Sequence, residues 1–159
     1  MLLDLLRHAD AGDPMAWDGP DAARPISDKG RKQAKRLGDH LRTIGYQTGA
    51  VITSPKLRAA QTAETVADRI DMTVIEDDRL AGSLDLEIVE EILRDAGDPD
   101  RAMLVGHDPD FSELLSVLCA AAGVAMRKGA LARIEIDRPL HAGGGTLRWL
   151  LPPDALKER

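Results

Sequence analysis

The stretch Leu2-Leu3-Asp4-Leu5-Leu6-Arg7-His8 is a short apolar run, broken by one acid, that stops abruptly at two basic residues. Such a run is typical of a mostly buried β-strand with polar residues at its carboxyl end. The pattern returns where residues 50–53 are followed by Ser54-Pro55 and where residues 102–105 are followed by Gly106-His107. We therefore predict three parallel strands of one sheet whose polar ends share an edge.

Helical patterns separate these strands. The predicted helix starts are Ser27, Ser54 with Pro55 as the first helical residue, Asp85, and Asp108 with Pro109. Further strands are predicted at residues 72–75, 130–136 and 146–151, the last two as an antiparallel hairpin. Strand and helix alternate through residue 120, which predicts an α/β fold. We expect a three-layer α/β/α sandwich with a mainly parallel sheet and a C-terminal antiparallel hairpin.

Composition limits the classes of function. With 159 residues, of which 43% are hydrophobic and 30% charged, the chain is expected to form one domain, residues 1–159. The formal net charge of −6 provides no global basic field for nucleic acid or an anionic membrane, so neither is expected as a partner. Cys119 is the single cysteine, which excludes a disulfide within the chain. With no signal-peptide pattern and no apolar run near the ~20 residues that span a bilayer, a cytoplasmic location is expected.

Four basic side chains should meet at the shared edge of the sheet: Arg7, His8, Arg58 and His107. Three of them follow strands directly, and Arg58 lies in the first turn of the second predicted helix, from which it reaches back over the edge. Helix starts at the same edge add unpaired N–H groups and positive dipole ends. The sequence therefore predicts a compact cationic pocket suited to a phosphoryl group.

Structural roles and a metal site are the alternatives to this pocket. Taken singly, each residue has a structural explanation: a solvated strand end, a surface arginine, or a core histidine whose hydrogen bonds are satisfied. A cluster of unpaired cations in an acidic chain is hard to explain in this way. A divalent metal would be opposed electrostatically by Arg7 and Arg58. The candidate metal ligands would be His8, His107, Asp10 and Asp108. We expect a site without metal or other cofactor.

The remaining conspicuous groups are interpreted as solvated surface. His40 lies on the charged side of the first predicted helix, and His141 lies in the glycine-rich hairpin loop. The basic stripe at residues 31–36 has no aromatic partners that would make it a nucleic-acid platform.

Four sequence blocks, in order, resemble the signature of the histidine phosphatase superfamily, whose fold is phosphoglycerate-mutase-like. They are Arg7-His8-Ala9, the run from Arg24-Pro25-Ile26-Ser27 to Gln33-Ala34, the run Ser54-Pro55-Lys56-Leu57-Arg58-Ala59-Ala60-Gln61-Thr62-Ala63, and Gly106-His107-Asp108-Pro109. Arg-His-Ala, the short length and the absence of a helical insertion are most similar to the SixA-type phosphohistidine phosphatases. The resemblance implies a single domain without a large cap insertion.

By this resemblance, His8 would be a nucleophile that forms a phosphohistidine intermediate, while Arg7, Arg58 and His107 would bind the phosphoryl oxygens. The second ring nitrogen of His8 should then donate to a fixed acceptor, such as a backbone carbonyl near the first strand. His107 would serve best as an imidazolium. The substrate would be phosphohistidine in a protein. A nucleotide or sugar phosphate is the alternative substrate, and a non-catalytic module that binds phosphorylated partners is the alternative function.

A general acid is missing from its place in the family pattern. Larger members carry a glutamate two residues beyond a leucine, whereas here Leu80 is followed by Ala81-Gly82. The candidate acids, none of which the sequence singles out, are Asp10, Asp18, Asp21, Asp77, Asp78 and Asp85. A weak or missing acid fits a phosphoramidate, whose nitrogen departs easily. With no cap, the pocket should be open and bordered by the loop at residues 9–26 with Trp17.

Overall fold

The structure, a computed structural model, describes residues 1–157. Its strands are β1 Leu2–Arg7, β2 Ala50–Thr53, β3 Val74–Glu76, β4 Arg101–Gly106, β5 Leu131–Ile136 and β6 Gly145–Leu151. Its helices are α1 Asp28–Thr43, α2 Leu57–Arg69, α3 Leu86–Asp95 and α4 Asp110–Cys119. The expected domain, residues 1–159, therefore extends two residues beyond the described part.

The six strands form one mixed sheet in the order β3-β2-β4-β1-β5-β6. The first four in this order run parallel, and β5 and β6 form the antiparallel hairpin. One hydrophobic cluster joins the sheet to α3 and α4, and a second joins the opposite face to α1 and α2. The predicted fold class, an α/β/α sandwich of the phosphoglycerate-mutase-like type, is confirmed.

Strand β1 supplies both clusters because its side chains alternate between the two faces of the sheet. Leu3 and Leu5 pack with the α3 and α4 side, whereas Leu6 packs with the α1 and α2 side. Asp4 shares the face of Leu6 and is fully buried. Because the residues before it are buried on both faces of the sheet, Arg7 at the end of β1 is held at the carboxyl edge.

Two predicted helix starts are correct and two are displaced. The side chains of Ser27 and Asp85 cap α1 and α3 by accepting bonds from Gly30 N and Ile88 N. The prediction that Ser54-Pro55 opens α2 is wrong, because the helix begins at Leu57 and Lys56 occupies the N-cap.

At α4 the helix begins at Asp110, one residue after the predicted Pro109. The carboxylate of Asp108 still accepts a bond from the Ser112 N–H in the first turn, at 3.0 Å. The predicted cap is therefore present although the boundary moves.

The loop between β1 and α1 contains two short 3₁₀ turns, at Pro14–Ala16 and Asp21–Ala23. It is held close to α1 at Gly30, where a Cβ would overlap the backbone carbonyl of Asp10. The chain that follows His8 therefore packs directly against the start of α1. Within residues 1–157, no helix is both long and apolar enough to cross a lipid bilayer.

Candidate active site

A cleft of about 580 Å³ opens at the carboxyl edge of the sheet, where β1, β2 and β4 end. Five cationic side chains line it, namely Arg7, Arg24, Lys56, Arg58 and Lys128. Two imidazoles, His8 and His107, and two carboxylates, Asp108 and Asp110, complete its charged and titratable lining. A chain of net charge −6 thus concentrates positive charge in one place.

His8 lies at the floor of the cleft and is 6% exposed. Its backbone N–H continues the parallel pairing by donating to the carbonyl of Gly106 at 2.9 Å. Its Nδ1 lies 2.7 Å from the carbonyl oxygen of Ala9, which only accepts, so Nδ1 carries the proton and donates. The other ring nitrogen, Nε2, is left with its lone pair.

Ala9, the acceptor for His8, is fixed from the opposite side by α2. Its N–H donates to Thr62 Oγ1 at 3.0 Å, and the Thr62 hydroxyl donates to the carbonyl of Arg58 at 2.7 Å. The sequence-based expectation of a backbone carbonyl acceptor for His8 corresponds to this contact.

His107 lies beside His8, with 5.3 Å between the two ring centroids. Its Nε2 is 2.8 Å from Ser54 Oγ, a buried hydroxyl that also accepts from Lys56 N at 3.2 Å. If the hydroxyl proton is donated to Nε2, the remaining proton of the neutral ring lies on Nδ1. In the other tautomer the hydroxyl proton would lack an acceptor within residues 1–157. The end of β2 therefore fixes the ring of His107.

Arg58 enters the cleft from the first turn of α2 and is bound by the loop after β1. Its Nη1 donates to the carbonyl of Asp21 and its Nη2 to the Asp21 carboxylate, both at 2.9 Å. Asp21 also accepts from Arg24 Nε at 3.4 Å, and Arg24 Nη1 donates to the Ala11 carbonyl at 2.7 Å. The loop therefore positions two guanidinium groups through one aspartate.

Arg7 is held by the segment that precedes β5. Its Nη1 donates to the carbonyl of Met126 at 2.8 Å and lies 3.5 Å from the Asp108 carboxylate. The N–H of Gly129 donates back to the carbonyls of Arg7 and His8. This contact requires the left-handed backbone of Gly129, with φ of +79°.

Three buried side-chain nitrogens lack a hydrogen-bond partner in the described part of the chain: Arg7 Nε, Arg58 Nε and His107 Nδ1. All three belong to residues that line the same cleft. Buried donors without partners are rare because each costs about 1–3 kcal/mol. Their concentration beside His8 indicates a place for an oxyanion that accepts from several directions.

Burial, assisted by the positive charges of the cleft, favours the neutral form of both imidazoles. Burial lowers the pKa of His8 to about 4, assisted by Arg58 and Arg7 and opposed by its bond to Ala9. Burial also lowers the pKa of His107 to about 3, together with His8 and Arg58. The surroundings thus favour a nucleophilic His8. Burial, with the positive charge of Arg58 as a smaller cause, likewise disfavours an imidazolium at His107. The expected imidazolium depends on a bound phosphoryl dianion and stays a prediction.

The six candidate acids are absent from the cleft lining. Asp10 accepts from Ser27 Oγ at 2.6 Å, which lowers the pKa of its carboxyl, and Asp85 caps α3. Asp77 binds Arg79, which lowers the pKa of that carboxyl. Asp18 and Asp78 are exposed, and Asp21 binds Arg58 just outside the lining.

Ala81, Gly82 and Ser83, which follow Leu80 where the resemblance leads one to expect a glutamate, line one wall of the cleft. No carboxylate projects from that wall. The two carboxylates that do line the cleft were not among the candidates, since Asp108 and Asp110 lie at the start of α4. Asp108 is already an acceptor for Ser112 and Arg7.

Sequence reasoning missed three cations of the cleft, Arg24, Lys56 and Lys128. Arg24 and Lys56 lie inside two of the quoted sequence blocks, which is the signal that would have found them. Lys128 lies outside every block, and only its proximity in space to Asp10, at 3.8 Å, and to the cleft reveals it.

The remaining expectations concern Trp17 and the two histidines outside the cleft. Trp17 does not line the cleft, because its indole N–H donates to the Pro20 carbonyl and its ring borders a separate depression; Pro14 borders the cleft instead. His141 is exposed as expected, whereas His40 is half-buried. Among residues 1–157, no three His, Cys, Asp or Glu side chains are grouped so as to hold a metal ion.

Comparison with known proteins places these features in a family context. Residues 3–85, which include three of the four blocks, match the family model of the histidine phosphatase superfamily (branch 1). Phosphohistidine phosphatase SixA of Escherichia coli strain K12 is 26% identical over 162 residues, a match that covers 99% of this chain and 97% of that protein.

Solved structures show the same fold. The structure of the protein histidine phosphatase SixA complexed with tungstate superposes with a TM-score of 0.84 at 24% identity, covering 99% of this chain and 100% of that one. The alpha-ribazole phosphatase from Shigella flexneri superposes with a TM-score of 0.71 at 18% identity, covering 96% and 97%.

Proposed function

This chain belongs to the histidine phosphatase superfamily and is a phosphatase, and from that premise we propose that it hydrolyses phosphohistidine in a protein through a phosphohistidine intermediate on His8. Arg7, Arg58 and His107 bind the phosphoryl oxygens during the reaction. No metal takes part in this scheme.

The observation that carries the proposal is the set of three buried donors without partners beside a neutral imidazole. Arg7 Nε, Arg58 Nε and His107 Nδ1 offer hydrogen bonds to an oxyanion, and His8 Nε2 offers a lone pair. Phosphoryl transfer needs positioning and charge stabilisation more than covalent work by the protein. The cleft offers fixed donors for positioning and cationic side chains for charge stabilisation.

In the first step the lone pair of His8 Nε2 attacks phosphorus, so that an N–P bond forms while the substrate's N–P bond breaks. The proton stays on Nδ1 and remains hydrogen-bonded to the Ala9 carbonyl, whose dipole stabilises the positive charge that develops on the ring. In the second step water attacks phosphorus and the bond to His8 Nε2 breaks, which returns His8 to the neutral form with its proton on Nδ1. Both protons of the water leave with the inorganic phosphate, which then exchanges protons with solvent.

The leaving group explains why a wall without a carboxylate suffices. A phosphohistidine ring that carries a proton on its second nitrogen departs as neutral imidazole and needs no proton from the protein. An alkoxide leaving group needs an acid at that place, where Ala81, Gly82 and Ser83 supply none. The composition of this wall therefore favours a phosphoramidate over a phosphate ester.

The comparisons support the same chemistry. A family relative with 26% identity along nearly the whole chain is a phosphohistidine phosphatase. The structure of a SixA protein holds tungstate, a tetrahedral oxyanion of the shape that the three donors would bind. The fold alone does not select the substrate, because an alpha-ribazole phosphatase shares it.

The test is to trap the intermediate. Incubation with a protein labelled on histidine by radioactive phosphate should place acid-labile, base-stable label on this chain, and His8→Ala should remove both the label and hydrolysis. His141→Ala, which alters an exposed histidine outside the cleft, is the matched control and should keep both. Hydrolysis by His8→Ala at the parent rate would refute the mechanism.

A small-molecule phosphatase is the second candidate, and one observation favours it. Asp110 is a half-buried acidic side chain in the cleft lining and is therefore a candidate proton donor to an oxygen leaving group. Turnover on a phosphohistidine protein, on nucleotides and on sugar phosphates separates the two candidates. A preference for nucleotides by orders of magnitude, lost in Asp110→Asn, would replace the first proposal with the second.

A further inference from the structure

The first half of α1 carries a strongly basic surface, here called the basic face, which consists of Lys29, Arg31, Lys32, Lys35 and Arg36. All five side chains belong to exposed residues. The helix holds six lysines and arginines against two aspartates, within a chain of net charge −6. Charge is therefore segregated on this surface rather than distributed evenly.

The basic face lacks the ion pairs that usually neutralise such a run. Within residues 1–157, none of its five side chains lies within 4 Å of a carboxylate, whereas Arg69, Arg79, Arg133 and Arg138 elsewhere each pair with an aspartate or glutamate. Like charges at i, i+3 and i, i+4 on a helix repel one another. In the described part of the chain this repulsion is not offset by close ion pairs, although Lys29 also acts at longer range on Asp10 and Asp154. A surface of this kind suits an external acidic partner.

The start of the basic face is linked to the cleft through Asp10. Lys128 lines the cleft and lies 3.8 Å from Asp10, whose carboxyl also feels the charge of Lys29 at the start of α1. Further along, Lys32, Lys35 and Arg36 border a shallow groove together with Asp39 of the same helix and Lys157 near the C-terminal end of the described chain. From Lys29 to Arg36 the helix rises about 10 Å. A small molecule held in the cleft does not extend that far, whereas a folded protein does.

We infer that the basic face docks an acidic protein that presents its phosphohistidine to the cleft. The inference rests on the proposed function, since it specifies the partner of the same site. The described part of α1 offers no aromatic side chain on which bases would stack, and its apolar side is buried against the sheet, away from any membrane. Complementary charge at the rim of an interface mainly accelerates association, and added salt weakens that effect.

The experiment compares the double variant Lys32→Glu, Lys35→Glu with the parent chain on three substrates. These are an acidic protein phosphorylated on one surface histidine, a basic protein phosphorylated in the same way, and the phosphoramidate ion. At low salt we expect kcat/KM for the acidic protein to fall about tenfold. Activity on the phosphoramidate ion should change less than about twofold, and activity on the basic protein should rise.

The matched control is Arg94→Glu, Arg101→Glu, which reverses two exposed charges away from the basic face. Arg101 starts β4 and therefore lies at the edge of the sheet opposite to the cleft. An equal loss in this control, or an equal loss on the phosphoramidate ion, would overturn the docking role. So would a DNA duplex that binds the parent chain at physiological salt and fails to bind the double variant.

Titration with the unphosphorylated acidic protein separates this inference from the proposed function. Binding to the parent chain that weakens in Lys32→Glu, Lys35→Glu and with added salt supports the basic face even if no phosphohistidine is hydrolysed. Hydrolysis of phosphohistidine with identical binding by the parent chain and the variant would retain the proposed function and refute the docking role.

Discussion

Strand β1 carries two buried polar clusters, three residues apart, that differ in how completely they are satisfied. Asp4 accepts from Arg133 at 2.8 and 2.9 Å and from the Tyr46 hydroxyl at 2.6 Å. The Arg133 guanidinium also lies over the Tyr46 ring, 5.1 Å from its centroid. At the end of the same strand, Arg7 and its neighbours leave three buried nitrogens without partners.

The contrast separates groups that stabilise the fold from groups that serve a ligand. A closed network such as that of Asp4 satisfies its own hydrogen bonds and needs nothing further. An open one carries an energetic cost that the rest of the molecule offsets, and it recovers the lost bonds when an oxyanion binds. Substitutions in the first cluster should therefore change stability, and substitutions in the second should change activity.

The largest effect is expected at Arg58. Arg58→Ala removes a guanidinium from the transition state and should lower kcat/KM by at least ~10²-fold, the scale for the loss of one such donor. Steady-state kinetics on a phosphohistidine protein measure the loss, and Arg58→Lys tests whether the planar fork matters beyond the charge. An unchanged rate would remove Arg58 from the site.

The closed network should respond in stability instead. Asp4→Asn leaves the Arg133 charge without its buried partner and should lower the free energy of unfolding by about 3 kcal/mol, the lower range for breaking a buried pair. Urea titration followed by circular dichroism measures it. Activity of the folded fraction should stay within about twofold, and a large loss of activity at equal stability would erase the contrast.

A smaller effect is expected at Ser54, whose hydroxyl fixes His107. Ser54→Ala should lower kcat about tenfold, because Nδ1 no longer carries the proton in every molecule. Nitrogen-15 spectra of the imidazole should report a mixture of tautomers. The matched control is Thr53→Val, which removes a buried hydroxyl that donates to the Ser54 carbonyl and does not touch the ring. Equal losses in both variants would reduce Ser54 to a packing role.

The smallest change is expected with pH. His8 acts when neutral, and its pKa of about 4 lies below the ordinary 6.5, so activity is lost only as the pH falls through about 4. From pH 7 to pH 5, kcat/KM corrected for substrate ionisation should therefore change less than about twofold. An imidazole with its ordinary pKa would lose about 25-fold over the same range. An acid limb near pH 6.5 would contradict the effect of burial.

The sequence predicted the architecture because apolar runs and polar strand ends are local patterns. It also indicated that Arg7, His8 and His107 follow strands of one sheet, which is enough to infer a shared edge. The start of α2 was not predicted correctly: Ser54 is a residue type that favours a cap, but its hydroxyl bonds to a histidine 53 residues away.

The lowered pKa of the His107 ring was not visible in the sequence. It follows first from burial of the ring and then from its neighbours His8 and Arg58, whereas the imidazolium expected beside a bound phosphoryl dianion stays a prediction. The bonds from Arg58 to Asp21 were equally invisible, since they join the loop to a helix 37 residues away. Long-range contacts, unlike strand ends, leave no periodic signal.

The contacts of Asp21 divide the site into one part that opens readily and one part that opens only with the core of the sheet. His8 is attached to β1, which is paired on both sides, so its amide should be among the last to exchange with heavy water. Asp21 belongs to a solvent-exposed loop. Partial opening of the molecule would free the Arg58 guanidinium long before it disturbed the nucleophile. The loop is therefore the part whose sequence can drift toward new phosphorylated partners while the reacting nitrogen stays in place.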